Sequence, residues 1–202
     1  VFPLLILAAG ASARMRGADK LATEIDGVPL LRRQTMAAIA AGARVFVALR
    51  PGDARAKLIA GLDAVALPVA SSAEGMGGTL RGGVARLPLA RRFGVMPADL
   101  PDLDAAAIAR VIDAAARDDG HLVWRGASAR GRVGHPLFCD AALRPRFAAL
   151  SGDQGGRGAL APYRGKTRLV ALPGNAATRD LDTPEDWAAW GAMQAMKKGG
   201  RI

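Results

Sequence analysis

The sequence predicts an α/β fold with a largely parallel central sheet covered by helices on both faces, a three-layer α/β/α arrangement. Three observations carry this. The run Pro3 to Leu7 is continuously apolar, as a strand buried on both faces must be. Short apolar runs of this kind then alternate with segments of helical period. Finally, 202 residues at 50% hydrophobic content are enough to bury a sizeable core, most simply as one domain.

The elements follow in order. Pro3 to Leu7 runs into Ala8-Ala9-Gly10-Ala11-Ser12-Ala13-Arg14-Met15, a small-residue loop with Lys20 just beyond it. Gly10 lets the backbone turn sharply, and the alanines and Ser12 leave main-chain N–H groups uncovered. Asp26-Gly27 is a tight turn, and Pro29 opens a helix to about Ala41 that Gly42 ends. Arg44 to Leu49 is the second strand, Ala54 to Ala60 a helix, Ala64 to Val69 a third strand, and Gly75 to Leu87 a glycine-weakened helix. Phe93 to Met96 is a buried strand that places Asp99 at its carboxyl end. Ile108, Val111, Ile112 and Ala115 give the helix from Asp104 to about Arg117 one apolar face. His121 to Trp124 is a strand, and the glycine-rich turn Arg130 to Gly134 leads into Pro136-Leu137-Phe138. Helical segments follow around Ala141 to Leu150 and Arg157 to Tyr163, then a last strand from Thr167 to Leu172. Thr183 caps the terminal helix, with Pro184 at its first position and Glu185 and Asp186 at the positive end of its dipole.

Composition narrows the function. No apolar run of about 18 residues could span a bilayer. The N-terminal apolar segment lacks a charged leader and soon meets Arg14 and Arg16, so it does not read as a secretory signal, and the expected location is cytoplasmic. One cysteine, Cys139, excludes an internal disulfide framework and reads as a small buried hydrophobe. With two histidines it cannot make a conventional closed zinc site. The net charge of +10 attracts phosphates, but it is spread along the chain and concentrated only in a basic tail, residues 197–202. Aromatic residues are 4% of the chain, too few for a base-stacking platform, so a small anionic substrate is expected and a nucleic-acid partner is not. The pentapeptide Gly10 to Arg14 recurs as Gly126 to Arg130. Its surroundings do not repeat, which marks a compositional coincidence.

Three requirements of nucleotidyl transfer have candidates here. Loop N–H groups can meet the β- and γ-phosphates, while Arg14 and Lys20 neutralise charge on departing pyrophosphate. Asp99 is a hard oxygen ligand where open α/β sheets place their ligands, and Asp182 can approach from the far end of the chain. One or two carboxylates plus substrate phosphates suit Mg2+, with Mn2+ as an alternative. Asp180 and Asp182 have a second reading, as supports of the final helix. Asp153 and Arg157 could pair to stiffen their glycine-rich bend.

With these residues in view, nearly the whole chain resembles the nucleotidyltransferases that attach a nucleotide to molybdopterin, specifically the molybdenum cofactor cytidylyltransferase branch. The motifs are the loop with Arg14 and Lys20, Gly75-Met76-Gly77-Gly78-Thr79-Leu80-Arg81-Gly82-Gly83, Asp99-Leu100-Pro101, Gly134-His135-Pro136-Leu137-Phe138, Ser151-Gly152-Asp153-Gln154-Gly155-Gly156-Arg157, and Asp180-Leu181-Asp182-Thr183-Pro184. The resemblance implies a Rossmann-like nucleotidyltransferase fold, with a nucleotide-binding half at about 1–102 and an acceptor-binding half at about 103–196. It implies CTP and molybdopterin as substrates and a recipient molybdoenzyme as a partner, with no membrane partner. Nucleotide contacts would come from Leu7, Ala8, Ala9, Gly10, Ala11, Ser12 and Lys20, and from Gly77, Thr79 and Leu80. Acceptor contacts would come from Gly134, His135, Pro136, Asp153 and Arg157. Arg14, Lys20 and Asp99 would be catalytic, with Asp99 and Asp182 on the metal. Ala9, where guanylyl-transferring relatives carry glycine, points to cytidine. Leu100 replaces the usual methionine and Ala98 the common glycine. A guanylyltransferase, transfer to another small acceptor, and a cofactor-delivery protein for a molybdoenzyme are the alternatives.

Overall fold

A computed structural model describes residues 1–11 and 15–199 of the protein. In chain order come β1 (Pro3–Leu7), a two-residue hairpin of β2 (Glu24–Ile25) and β3 (Val28–Pro29), α1 (Leu30–Ala40), β4 (Arg44–Leu49) and β5 (Ala64–Pro68). Next are α2 (Met76–Arg86), β6 (Arg92–Pro97), α3 (Ala105–Arg117), β7 (Val123–Ala127) and β8 (Val133–Asp140). The chain ends with α4 (Arg144–Ala148), α5 (Gly156–Leu160), β9 (Thr167–Ala171) and α6 (Pro184–Gly199).

Seven strands form one sheet in the order β5-β4-β1-β6-β8-β7-β9. It is parallel except for β8, which runs antiparallel to both β6 and β7. The expected α/β, Rossmann-like fold is therefore present, with a mixed, mostly parallel sheet. One apolar cluster packs α1, α3 and α6 on one face, including Leu30, Val111 and Trp190. A second packs α2 and α4 on the other, including Leu80, Val84 and Phe147. Because β4 lies on one side of β1 and β6 on the other, the connections diverge at β1. The crevice beyond the carboxyl ends of β1 and β6 is the place where such sheets bind ligands.

Several boundaries differ from expectation. Pro29 belongs to β3, immediately before α1 rather than within its first turn. Residues Ala54–Ile59 form a 3-10 helix, in which the Asp53 side chain accepts the Arg55 N–H. The strand expected at His121 to Trp124 is shifted to Val123–Ala127, so the second Gly-Ala-Ser copy begins inside β7 while the first lies past β1. The helix expected over Ala141 to Leu150 is a 3-10 turn at Ala141–Leu143 followed by the short α4, and the segment after Arg157 divides between α5 and a 3-10 stretch at Ala161–Lys166. The tail expected from residue 197 is still helical through Gly199.

The largest correction is β8. The glycine-rich turn ends sooner than expected, and Gly134 to Phe138 is part of an interior strand. An interior proline lacks the N–H for a ladder bond, so the sheet must accommodate it. It does so with a register shift between Arg125 and Ala127 on β7, beside Pro136. Irregularities of this kind re-aim side chains near functional sites, and His135 and Arg125 both reach the crevice.

At the opposite side of α3, Asp118 gathers a polar hub. Its carboxylate accepts from the Gly120 N–H at 2.8 Å, the Trp124 indole at 3.2 Å and Arg168 at 3.1 Å, and contacts His121 Nδ1 at 2.6 Å. Burial opposes its charge, but these donors outweigh burial and hold the carboxyl well below its ordinary value of 3.8. A depressed carboxylate stabilises the fold above the unfolded value, and that contribution is lost as pH falls through the folded one. Asp118→Asn should therefore melt below wild type at neutral pH. The gap should close as pH drops beneath 3.8 in thermal melts across that range.

Candidate active site

The crevice is a cleft of about 830 Å3 bounded by the β1 loop, the end of β6, the start of α2 and the antiparallel strand β8. On its floor Lys20 Nζ donates to Asp99 Oδ2 at 2.5 Å and to Asp182 Oδ1 at 2.7 Å. Lys20 is 14% exposed and each carboxylate 18%. Burial works against the ammonium, but Asp99 and Asp182 beside it raise the Lys20 pKa above its ordinary value. Three motifs 79 and 162 residues apart thus meet at one point.

The fold explains the meeting. Asp99 follows β6 directly, and Ala98 N–H donates to Leu7 O at 3.1 Å, which ties the acid to the end of β1. Asp182 precedes α6, whose start is a reciprocal cap: Thr183 Oγ1 accepts the Asp186 N–H at 3.1 Å and Asp186 Oδ2 accepts the Thr183 N–H at 2.9 Å. Asp186 Oδ2 also accepts the Asp182 N–H at 3.2 Å. Asp102 pins α6 to the β6 end, accepting from Trp190 Nε1 at 2.8 Å and from Arg179 at 3.0 Å. Asp182 can support the helix and face the cleft at once, so the two readings of this residue are compatible.

Two carboxylates converging on one cation in a half-buried cleft are a suitable pair of hard oxygen donors for a divalent ion. Among the described residues no group of three or more His, Cys, Asp or Glu forms a closed protein site. A metal held here would complete its shell with substrate oxygens.

Of the expected nucleotide contacts, Leu7, Ala8, Ala9, Gly10, Ala11 and Lys20 line the cleft. Thr79 and Leu80 line it from α2. Ser12 and Arg14 lie outside the described residues. Thr79 is 5% exposed and its hydroxyl donates to Gly75 O at 3.0 Å, so toward a ligand it can only accept. Gly77 does not line the cleft. Its N–H donates to Gly152 O at 2.7 Å, and a Cβ there would come within 2.5 Å of Ser151 O. It serves instead as the seam between α2 and the Ser151 to Arg157 motif. Gly77→Ala must push backbone against backbone and should cost about 1–3 kcal/mol, read from urea unfolding.

Across the cleft, Gly134, His135, Asp153 and Arg157 line the wall, whereas Pro136 is buried behind it. Among the described residues Asp153 and Arg157 form no ion pair. Asp153 packs on Gly75, where a Cβ would lie 2.1 Å from Asp153 Oδ1. Burial, with Arg125 nearby, pushes His135 down to about 4 against a hydrogen bond with the Val95 backbone and the attraction of Asp99, so the ring is neutral at pH 7. Positive charge on this wall comes from Arg125, Arg132 and Arg157. Sequence reading missed the first two, because a strand arginine and a turn arginine carry no motif signal until β7 and β8 pair. Cys139 is fully buried, and burial lifts its thiol far above the ordinary value, in line with a packing role.

A phosphate-suited loop, a dual carboxylate with its lysine, and a cationic opposite wall at a sheet switch point make this protein a nucleotidyltransferase. Residues 4–168 match the MobA-like NTP transferase domain, and the chain belongs to that family. The structure of Rv0371c from Mycobacterium tuberculosis is similar, with 25% identity and a TM-score of 0.77 over 94% of this chain and 96% of that one. Its complex with manganese superposes with a TM-score of 0.73 at 24% identity, covering 93% and 96% of the two chains. A nucleotidyl transferase from Methanothermobacter, Mth528, shares the fold at 21% identity and a TM-score of 0.74, over 97% and 98%. No curated protein matches by sequence. Among the described residues no helix is long and apolar enough to cross a membrane.

Proposed function

We propose that the protein transfers CMP from Mg-CTP to the terminal phosphate of molybdopterin, giving molybdopterin cytosine dinucleotide and pyrophosphate. The observation that carries the reading is the convergence of Asp99, Asp182 and Lys20 beneath the β1 loop, facing a wall that bears Arg125 and Arg157. In this reading an acceptor phosphate oxygen attacks the α-phosphorus, the bond to the β-phosphate oxygen breaks, and pyrophosphate leaves with the bonding pair. The chain's own work is positioning and charge neutralisation. Loop amides hold the β- and γ-phosphates, and Lys20, released from one carboxylate, offsets charge on the leaving group. Asp99 and Asp182 would hold the divalent ion, which when bound polarises the reacting phosphate. The manganese complex of the similar Rv0371c supports a divalent ion of this kind.

Arg125 and Arg157 suit a phosphorylated acceptor, while neutral His135 suits a flat heterocycle through hydrogen bonding rather than charge. Ala9 supports cytidine over guanosine, and a recipient molybdoenzyme would take up the product. The same cationic wall also suits other small phosphorylated acceptors. Thermal stabilisation by CTP, GTP, ATP and UTP with and without Mg2+ tests the nucleotide. A metal-dependent shift for CTP alone is expected, and a preference for GTP moves the protein to guanylyl transfer. Pyrophosphate release on adding molybdopterin, against a panel of sugar and alcohol phosphates, tests the acceptor.

A further inference from the structure

On the β4 side of the β1 loop lie charged groups given no part in the cleft chemistry: Arg55 and Asp19, which do not line the cleft, and Arg50, which lines its edge. Arg55, 8% exposed, donates through Nε to Asp19 Oδ2 at 2.8 Å and through Nη2 to Asp19 Oδ1 at 2.8 Å. Its remaining Nη1 donates to Ala8 O at 2.6 Å and Gly10 O at 2.7 Å. Arg50 Nε donates to Ala9 O at 2.8 Å. Three successive loop carbonyls are thus held by two guanidinium groups from the β4 side.

In a planar trans peptide the carbonyl of one residue and the N–H of the next point in opposite directions. Fixing the oxygens of Ala8, Ala9 and Gly10 therefore turns the N–H groups of Ala9, Gly10 and Ala11 away from the guanidinium groups; all three residues line the cleft with Lys20, and Gly10 and Ala11 also line a smaller hollow on the Arg55 side. Successive amides aimed into one concavity form an anion-binding nest. Asp19 extends the clamp, because its Oδ1 also accepts the Leu21 N–H at 3.0 Å and its carbonyl accepts the Ala22 N–H at 3.0 Å. The Arg55–Asp19 pair therefore lashes the amide loop to the turn that carries Lys20.

We propose that Arg55, locked by Asp19 and assisted by Arg50, is a positioning residue that presets the loop amides and Lys20 for the β- and γ-phosphates without itself contacting them. This rests on the nucleotidyltransferase reading of the cleft. The fork of a guanidinium is required: a lysine ammonium at this place keeps the charge but cannot serve both Asp19 oxygens and two carbonyls.

The test is calorimetric titration of inorganic pyrophosphate and of CMP (GMP if guanine nucleotides bind instead) into wild type, Arg55→Lys and Asp19→Asn, with melting temperatures alongside. Asp19→Asn keeps size and shape, so it serves if Arg55→Lys does not fold. Pyrophosphate affinity should fall about tenfold or more, the equivalent of one charged hydrogen bond misplaced, while monophosphate affinity changes less than about twofold. In turnover, KM for the triphosphate should rise with the same selectivity. Unchanged pyrophosphate binding, or equal weakening of both ligands with a lowered melting temperature, overturns the positioning role. If wild type binds neither pyrophosphate nor any nucleotide, the nucleotidyltransferase reading fails and the clamp with it.

Discussion

Asp99→Asn is expected to lower turnover by about a thousandfold while shifting the melting temperature by only a few degrees. Charge stabilisation by a metal on a reacting phosphate amounts to several kcal/mol, and each 1.36 kcal/mol is about tenfold in rate. The fold has much less at stake. Asp99 is partly exposed, its partner Lys20 keeps Asp182, and the loop around it is held by Ala98 and Asp102 rather than by the Asp99 side chain. Pyrophosphate release with Mg2+, CTP and the phosphorylated acceptor all saturating measures the first quantity and a thermal melt the second. Near-normal release by Asp99→Asn removes the metal role from this residue. Asp182→Asn should lower turnover likewise, with little loss of stability, because the brace that Asp182 gives the start of α6 runs through its backbone N–H, which the substitution keeps.

The parts of this site legible in sequence are those whose chemistry is local. The apolar run of β1, the small-residue loop after it and the acid after β6 each announce themselves within a few residues of sequence. The Thr183 cap is also written locally, in a hydroxyl and an acid three residues apart. What escaped reading depends on long-range pairing. Arg55 became a clamp only because β4 lies parallel to β1, which brings the turn after β4 beneath the loop after β1. Arg125 on β7 reached the cleft through pairing with the antiparallel β8, whose strand character is hidden by the glycine, histidine and proline at its start. Asp102 carries no motif of its own, yet its contacts with Arg179 and Trp190 tie the last helix to the end of β6 at the floor of the cleft. Gly77 looked like a ligand-contacting glycine and is instead a packing one; spacing alone does not separate these two uses.

Lys20→Met is the sharper test of how the floor works, because it should move two observables in opposite directions. Without the ammonium, Asp99 and Asp182 face each other with no shared counter-charge, so their field at a cation increases. Mn2+ should bind more tightly than to wild type in the absence of nucleotide, by about tenfold if one close opposite charge is relieved of competition. Turnover should nonetheless fall by about 10²–10³, the loss seen when one preorganised donor to developing negative charge is removed. Burial disfavours the Lys20 charge, but its two carboxylates prevail and place the folded pKa above 10.5. The stabilisation from this ion pair is therefore complete below pH 10.5 and is lost only as pH rises through the higher folded value. Wild-type melting should accordingly show no loss traceable to Lys20 across neutral and mildly alkaline pH. If Mn2+ affinity and turnover fall together, Lys20 is organising the two carboxylates for the metal rather than competing with it. If both are unchanged, the lysine is a structural counter-ion and the leaving-group role passes to other cations of the loop.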